Sequence, residues 1–125
     1  MATVLSTTVR TAQVQDIITA AGSGAKLKLY NGTMPSGGAA PAGTLLATLT
    51  GSTTIGTASA GVLNWDEAGF TQSNASHVTG TATFARLTTS ADAFVMDTND
   101  ATVTGTITTG VDVTFNTSTT TAGNA

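Results

Sequence analysis

The sequence contains no cysteine, and charged residues occupy only 9% of its 125 positions. The lack of cysteine excludes a disulfide framework and a thiolate metal site. An ordinary soluble domain carries roughly 25% charged residues, so the surface of this chain is unusually neutral. The only cations are Arg10, Lys26, Lys28 and Arg86, and the net charge is −3. Because so few cations cannot neutralise a run of phosphates, we expect no direct binding to nucleic acid.

Long apolar runs and aromatic side chains are also scarce. No stretch approaches the roughly 18 apolar residues that a membrane span needs, and the amino terminus lacks the basic and apolar regions of a secretory signal. We therefore expect a protein without membrane contact that is made and assembled in a cytosol. With one Trp, one Tyr and four Phe, its core is thin, and we expect association with other chains to supply part of its stability.

Threonine and glycine take up much of the rest of the chain, and threonine favours strands because its β-branched side chain fits a pleated surface. The exception is residues 7–21, where apolar side chains recur at helical spacing and Gly22 follows as a C-terminal cap. Candidate N-terminal caps are Ser6, Thr7 and Thr8. The spacing predicts a helix, and the alternative is an extended arm that lies on a neighbouring subunit.

From Lys26 onward, short runs alternate polar with apolar residues and end at Gly, Pro or Asn, which predicts strands and turns. The predicted strands are 26–30, 44–50, 61–65, 78–88, 93–97, 102–108 and 111–115. The predicted loops are 33–43 and 51–60, and the predicted turns are 66–69 and 98–100.

Strands at intervals of roughly 8–12 residues are typical of a mainly β fold, here an antiparallel β-sandwich or jelly-roll-like domain. We therefore divide the chain into an N-terminal arm or helix (1–24), a β-sandwich domain (25–116) and an extended C-terminal tail (117–125). No βαβ alternation is visible, which argues against a parallel sheet.

No group of residues matches an enzyme active site. The only histidine, His77, lies in a polar segment without a G-x-S-x-G elbow, and we interpret it as a solvated loop residue. The adjacent Asp66 and Glu67 would point to opposite faces of a strand, so a turn or rim role is favoured. Residues 97–100 could offer oxygens to Ca²⁺ but lack the EF-hand spacing. We predict a non-enzymatic chain with no catalytic, cofactor-binding or metal-binding residues and no cofactor.

Two large side chains permit two interpretations each. Arg86 shares its strand parity with Ala82 and Phe84, on a face expected to be apolar. Arg86 is either solvated near the strand end or paired with a carboxylate at a subunit contact, where its planar fork binds both oxygens. Trp65 is either a core residue or a contact residue. Trp65 and Tyr30 are also the only large aromatic candidates for a sugar-binding platform.

Four motifs occur in a fixed order: LKLYNGTMP at 27–35, GTLLA at 43–47, GVL at 61–63 and GTATFAR at 80–86. As an ordered set they resemble small proteins encoded among the structural genes of tailed bacteriophages. The resemblance implies a virion component that is assembled in the bacterial host cytoplasm and has no catalytic residues.

Among virion roles, small size, the lack of long repeats and the N-terminal arm favour a capsid decoration or cement protein. Its expected partners are the major capsid protein and copies of itself, so we expect a homo-oligomer. The alternatives are a tail or fibre structural protein and, from another class, a carbohydrate-binding adhesion domain.

Overall fold

A computed structural model describes residues 4–99, 103–116 and 119–121. Within these residues the chain is mainly β, with a single α-helix and several antiparallel sheets, and no jelly-roll arrangement is identified. No helix in this part of the chain is long and apolar enough to cross a membrane. The elements are α1 Thr7–Ala21, β1 Lys26–Tyr30, β2 Leu45–Thr50, β3 Gly56–Ser59, β4 Val62–Trp65, β5 Gly80–Ala82, β6 Phe84–Thr88, β7 Phe94–Thr98, β8 Gly105–Ile107, β9 Thr119–Thr121, and the 3₁₀ turns Glu67–Gly69 and Asn74–Ser76.

Helix α1 has the bounds that the sequence predicted. Ser6 caps its start, because the Ser6 hydroxyl accepts a hydrogen bond from the Val9 N–H at 3.2 Å. Gly22 ends it with a φ of 69°, a conformation that glycine adopts without steric cost. The helical prediction is confirmed, and residues 7–21 do not form the alternative extended arm. The buried face of α1 consists of Val14, Ile18 and Ala21.

Four strands form the largest sheet, sheet A, in the antiparallel order β2-β1-β6-β7. Strand β1 lies in its middle and alternates cleanly, with Leu27 and Leu29 fully buried on one face. Leu27 pairs with Leu49 of β2 on one side and with Leu87 of β6 on the other. This apolar row is one face of sheet A and lies in the core.

Sheet B has the order β3-β4-β9, and its first two strands form a hairpin. Ala60 and Gly61 connect them with φ angles of 51° and 75°, which is the left-handed pair of a type I′ turn. The prediction of a loop over 51–60 is therefore wrong for 56–59, whereas residues 51–55 form neither helix nor strand. Strand β3 has the sequence GTAS and contains no large apolar residue. The one local apolar signal is Ile55, which lies just before the strand and is fully buried.

The predicted strand 78–88 is two strands that belong to different sheets. Strand β5 pairs with β8 in the two-stranded sheet C, whereas β6 pairs with β1 and β7 in sheet A. The break is at Thr83, whose N–H bonds the carbonyl of Tyr30 at 2.9 Å. Alternation alone could not show this division, because a change of partner strand leaves the period of two unchanged.

The C-terminal third differs most from its prediction. Residues 111–115 form no strand, and within the described residues 103–108 the strand formed is β8. The predicted extended tail contains β9, which pairs with β4. Position 100 of the predicted turn, positions 101 and 102, and positions 117, 118 and 122–125 of the predicted tail lie outside the described residues. The division of the chain at residues 24 and 116 stays a prediction.

One cluster of buried side chains joins α1 to all three sheets. Trp65 belongs to it and is only 5% exposed, so it is a core residue. Its ring lies 6.0 Å from Phe70 and 5.9 Å from Phe115, measured between centroids. Other members of the cluster are Val14, Leu27, Leu49, Ile55, Leu63, Ala82, Leu87, Val103 and Ile107.

Candidate functional site

Arg86 and Asp97 form a buried ion pair on the face of sheet A that points away from the core. They are cross-strand neighbours of β6 and β7. Arg86 Nε donates to Asp97 Oδ1 at 2.8 Å and Nη2 donates to Oδ2 at 2.9 Å, with the side chains 9% and 7% exposed. The hydrogen bonds to Asp97 raise the pKa of Arg86, against the opposing effect of burial.

The same guanidinium fastens a loop to sheet A. Arg86 Nη2 also donates to the carbonyl of Ala39 at 2.6 Å, within the predicted loop 33–43. The guanidinium carbon lies 4.8 Å from the centroid of the Phe94 ring, a cation–π arrangement. Arg86 is thus buried, and its interpretation as a solvated residue is wrong. The predicted bidentate pairing with a carboxylate is confirmed, and that carboxylate belongs to the same chain.

A second ion-paired group ties the two lysines of β1 to the turn between β6 and β7. Asp92 Oδ1 lies 2.8 Å from Lys28 Nζ and 3.1 Å from Lys26 Nζ. These hydrogen bonds, that of Lys28 first, lower the pKa of Asp92. Asp92 has a φ of +67°, which aspartate tolerates better than most residues. Two of the four cations therefore serve a local contact.

The other acidic candidates form no metal cluster among the described residues. Asp66 and Glu67 are exposed at the start of a 3₁₀ turn, so the predicted turn is confirmed. Within the segment 97–100, Asp97 is paired with Arg86, while position 100 lies outside the described residues.

His77 is buried, with 4% of its surface exposed, so its interpretation as a solvated residue is wrong. Its Nδ1 lies 3.1 Å from the carbonyl oxygen of Val111. A carbonyl only accepts, so Nδ1 carries the proton and donates. Nε2 is buried and has no hydrogen-bond partner among the described residues. The segment 109–113 covers His77, and nothing in the local sequence around the histidine predicts this contact.

Nearby, segment 71–78 meets the edge of β2 at two points and bows away between them. Thr50 and Thr71 exchange two backbone hydrogen bonds of 2.8 Å, and the Val78 N–H donates to the Leu46 carbonyl at 2.8 Å. Between these contacts lies a groove of about 550 Å³, which we call the His77 groove. Its lining contains no charged residue and consists of residues 45–48, 50, 71–73, 76 and 77.

Apolar side chains are exposed around this groove and near the N-terminal end of α1. Leu45 lines the groove. Val78 adjoins it because the Val78 N–H donates to the Leu46 carbonyl, and Val111 adjoins it because the Val111 carbonyl contacts the His77 ring. Val4, which is 79% exposed, and Val9 lie at the start of the helix. Few charges in the sequence accompany these exposed apolar side chains.

Comparisons with protein-family models, with curated proteins and with solved structures gave no match. Among the described residues, His77 donates to a backbone carbonyl, and the buried Arg86 is paired with Asp97.

Proposed function

We propose that this protein is a structural component of a bacteriophage particle, most specifically a capsid decoration or cement protein. In this role it stabilises the head by binding major capsid subunits and further copies of itself. The observation that carries the proposal is a nearly uncharged chain with large apolar side chains left exposed, such as Val4 and Val111. Apolar exposure of this kind marks protein–protein contacts when it is rimmed by polar groups.

The assignment to a bacteriophage particle rests on the resemblance of the ordered motifs to tailed-phage structural proteins. The first motif includes most of β1 and the start of the loop that Arg86 fastens, and the last contains β5 and most of β6. These segments supply most of the two inner strands of sheet A, one strand of sheet C and part of the covering loop. We infer that they are shared because they form a stable framework, and that the contact surfaces around it differ between particles.

We also propose that sheets A and B face each other as the two layers of a sandwich. Leu27 and Leu87 from sheet A and Leu63 and Trp65 from sheet B belong to one buried cluster, which supports this arrangement. A sandwich closed by α1 would present a rigid surface to a capsid, and rigidity limits the entropy lost on binding.

The test uses expanded heads of the phage that encodes the chain, prepared without this protein. We expect the purified chain to sediment with such heads and to raise their temperature of disruption. Val111→Asp places a charge at an exposed apolar position and is expected to weaken binding, whereas the exposed polar control Thr57→Asp is expected to bind normally.

A chain that stays monomeric and never sediments with heads would contradict the decoration role. Rings or long rods in negative stain would favour the tail or fibre alternative. The carbohydrate alternative has little support from its two candidate platforms. Trp65 is in the core with its indole N–H bonded to Thr120, and Tyr30 stacks on Phe84 at 5.4 Å between centroids.

A further inference from the structure

The His77 groove contains an unpaired stretch of strand edge. In an antiparallel pair, the peptide groups of alternate residues point toward and away from the partner. Those of Thr50 point away from β1, since they bond Thr71. Thr48 has the same parity in the β1–β2 register, so its N–H and C=O also point outward. Among the described residues neither group has a partner, because segment 71–78 bows away opposite Thr48.

His77 lines the same groove. Its Nδ1 donates to the Val111 carbonyl, and its Nε2 is buried within the protein without a hydrogen-bond partner among the described residues. Buried polar atoms almost always have a hydrogen-bond partner, and leaving one without a partner costs free energy. The groove therefore combines one outward donor and one outward acceptor at Thr48 with a lining that carries no charged residue.

We propose that the His77 groove binds a short, uncharged peptide segment of a partner protein, with one of its peptide groups opposite Thr48. A peptide offers the complementary acceptor and donor at strand spacing, as when a chain adds to a free sheet edge. The lining has no charge, so charged segments would lose solvation without gaining a partner. The groove has the size of a small-ligand site.

The occupied stretch is limited to a few residues by the structure on either side. Thr71 and Val78 already bond β2 at both ends of the groove, so a long added strand is excluded. Leu45 and Leu46 line the groove and offer apolar contact to a small side chain of the segment. The groove is a site on the isolated chain. Peptide binding there can therefore fail while the virion assignment holds, and the virion assignment can fail while the groove binds the peptide.

The first test uses the full-length ¹⁵N-labelled chain and the capped tripeptide acetyl-Thr-Val-Thr-amide. In the free chain the amide of Thr48 is expected to exchange with solvent faster than those of Ala47 and Leu49, which point toward β1. Added peptide is expected to shift the Thr48 and His77 resonances saturably and to slow the exchange at Thr48. No saturable shift and no protection at up to 20 mM, roughly the weakest binding worth testing, would overturn the proposal.

Two substitutions at one position separate the backbone donor from the side chain. Thr48→Pro removes the outward N–H without removing a ladder hydrogen bond, and proline is tolerated on such an edge. It is expected to weaken peptide binding about ten-fold, the effect of one lost hydrogen bond. The control Thr48→Val keeps the N–H and the shape, and is expected to bind normally.

Because the wild-type exchange measurement needs no variant, the proposal stays testable if Thr48→Pro does not fold. Equal affinities of folded Thr48→Pro and wild type would overturn it. A parallel titration with methyl glucoside identifies the other ligand class, since saturable shifts at Thr48 with the sugar and none with the peptide would overturn the peptide assignment.

Discussion

Replacing Asp97 with alanine is expected to lower the free energy of unfolding by about 3–5 kcal/mol. The substitution removes two hydrogen bonds of 2.8 and 2.9 Å and leaves the guanidinium of Arg86 buried without its carboxylate. Each hydrogen bond to a charged group contributes roughly 1.5–3 kcal/mol, so the two together give the same magnitude. For a domain of this size the midpoint of thermal unfolding should fall by about 4 °C per kcal/mol.

Urea denaturation followed by tryptophan fluorescence gives the free energies, with Asp92→Ala as a matched control. Asp92 is the other ion-paired carboxylate of this face, but its side chain is 53% exposed, so its removal is expected to change stability far less. The double variant Arg86→Met, Asp97→Ala should be more stable than Asp97→Ala alone, because it no longer buries an unpaired charge.

A loss below about 1 kcal/mol for Asp97→Ala, the magnitude of an exposed pair, would refute the reasoning. So would a double variant that is less stable than the single one. Amide exchange in the loop 33–43 provides a local check, since Arg86 also binds the Ala39 carbonyl and should hold that loop less firmly once Asp97 is gone.

Three smaller effects are expected elsewhere. Ala60→Asn should raise the unfolding free energy by about 0.5–1 kcal/mol, because asparagine suits the first position of a type I′ turn; unchanged or lower stability in urea would contradict that turn. Ser6→Ala should cost about 1 kcal/mol through the lost bond to the Val9 N–H, and thermal unfolding that matches wild type would show the cap to be unimportant. The carboxyl carbon of Asp92 should titrate by NMR below the ordinary aspartate pKa of about 3.9, and closer to it in Lys28→Met. Because the folded pKa is the lower one, this stabilisation is complete above the unfolded pKa and is lost as the pH falls through the folded pKa; a midpoint unaffected by Lys28→Met would refute it.

The sequence predicts the elements whose pattern is local. Helix α1 is marked by its apolar spacing and by Ser6 and Gly22 at its ends, and β1 by the alternation of Lys and Leu. Strands β2 and β4 also match their predictions to within one residue. In each of these segments, apolar residues reach the core through a period that belongs to one type of element.

The missed strands have no such pattern, because pairing with a partner strand orders them. Strand β9 is three threonines, and its position is set by β4. Strand β3 gains its place from the turn at Ala60 and Gly61 and from pairing with β4. In 111–115 the predicted strand is replaced by a loop whose Val113 peptide groups bond the side chain of Gln72 at 2.7 and 2.9 Å.

The candidate sites were even less visible in the sequence. The parity of Arg86 places it correctly beside Phe84, yet only the β6–β7 register brings Asp97 opposite it. His77 lies in a polar stretch, and its burial comes from a segment more than 30 positions later. The Thr48 edge depends on where a distant segment bows away, which composition and periodicity do not encode.

The bond between Trp65 and Thr120 has a consequence for the order of folding. The indole N–H donates to the Thr120 hydroxyl at 2.8 Å across 55 positions, and β9 completes sheet B. A chain emerging from the ribosome cannot make this contact until Thr120 has been released from the exit tunnel. Contacts of such high sequence separation form slowly. The only tryptophan is therefore a built-in optical reporter of the final closure, and its emission should change last as the chain folds.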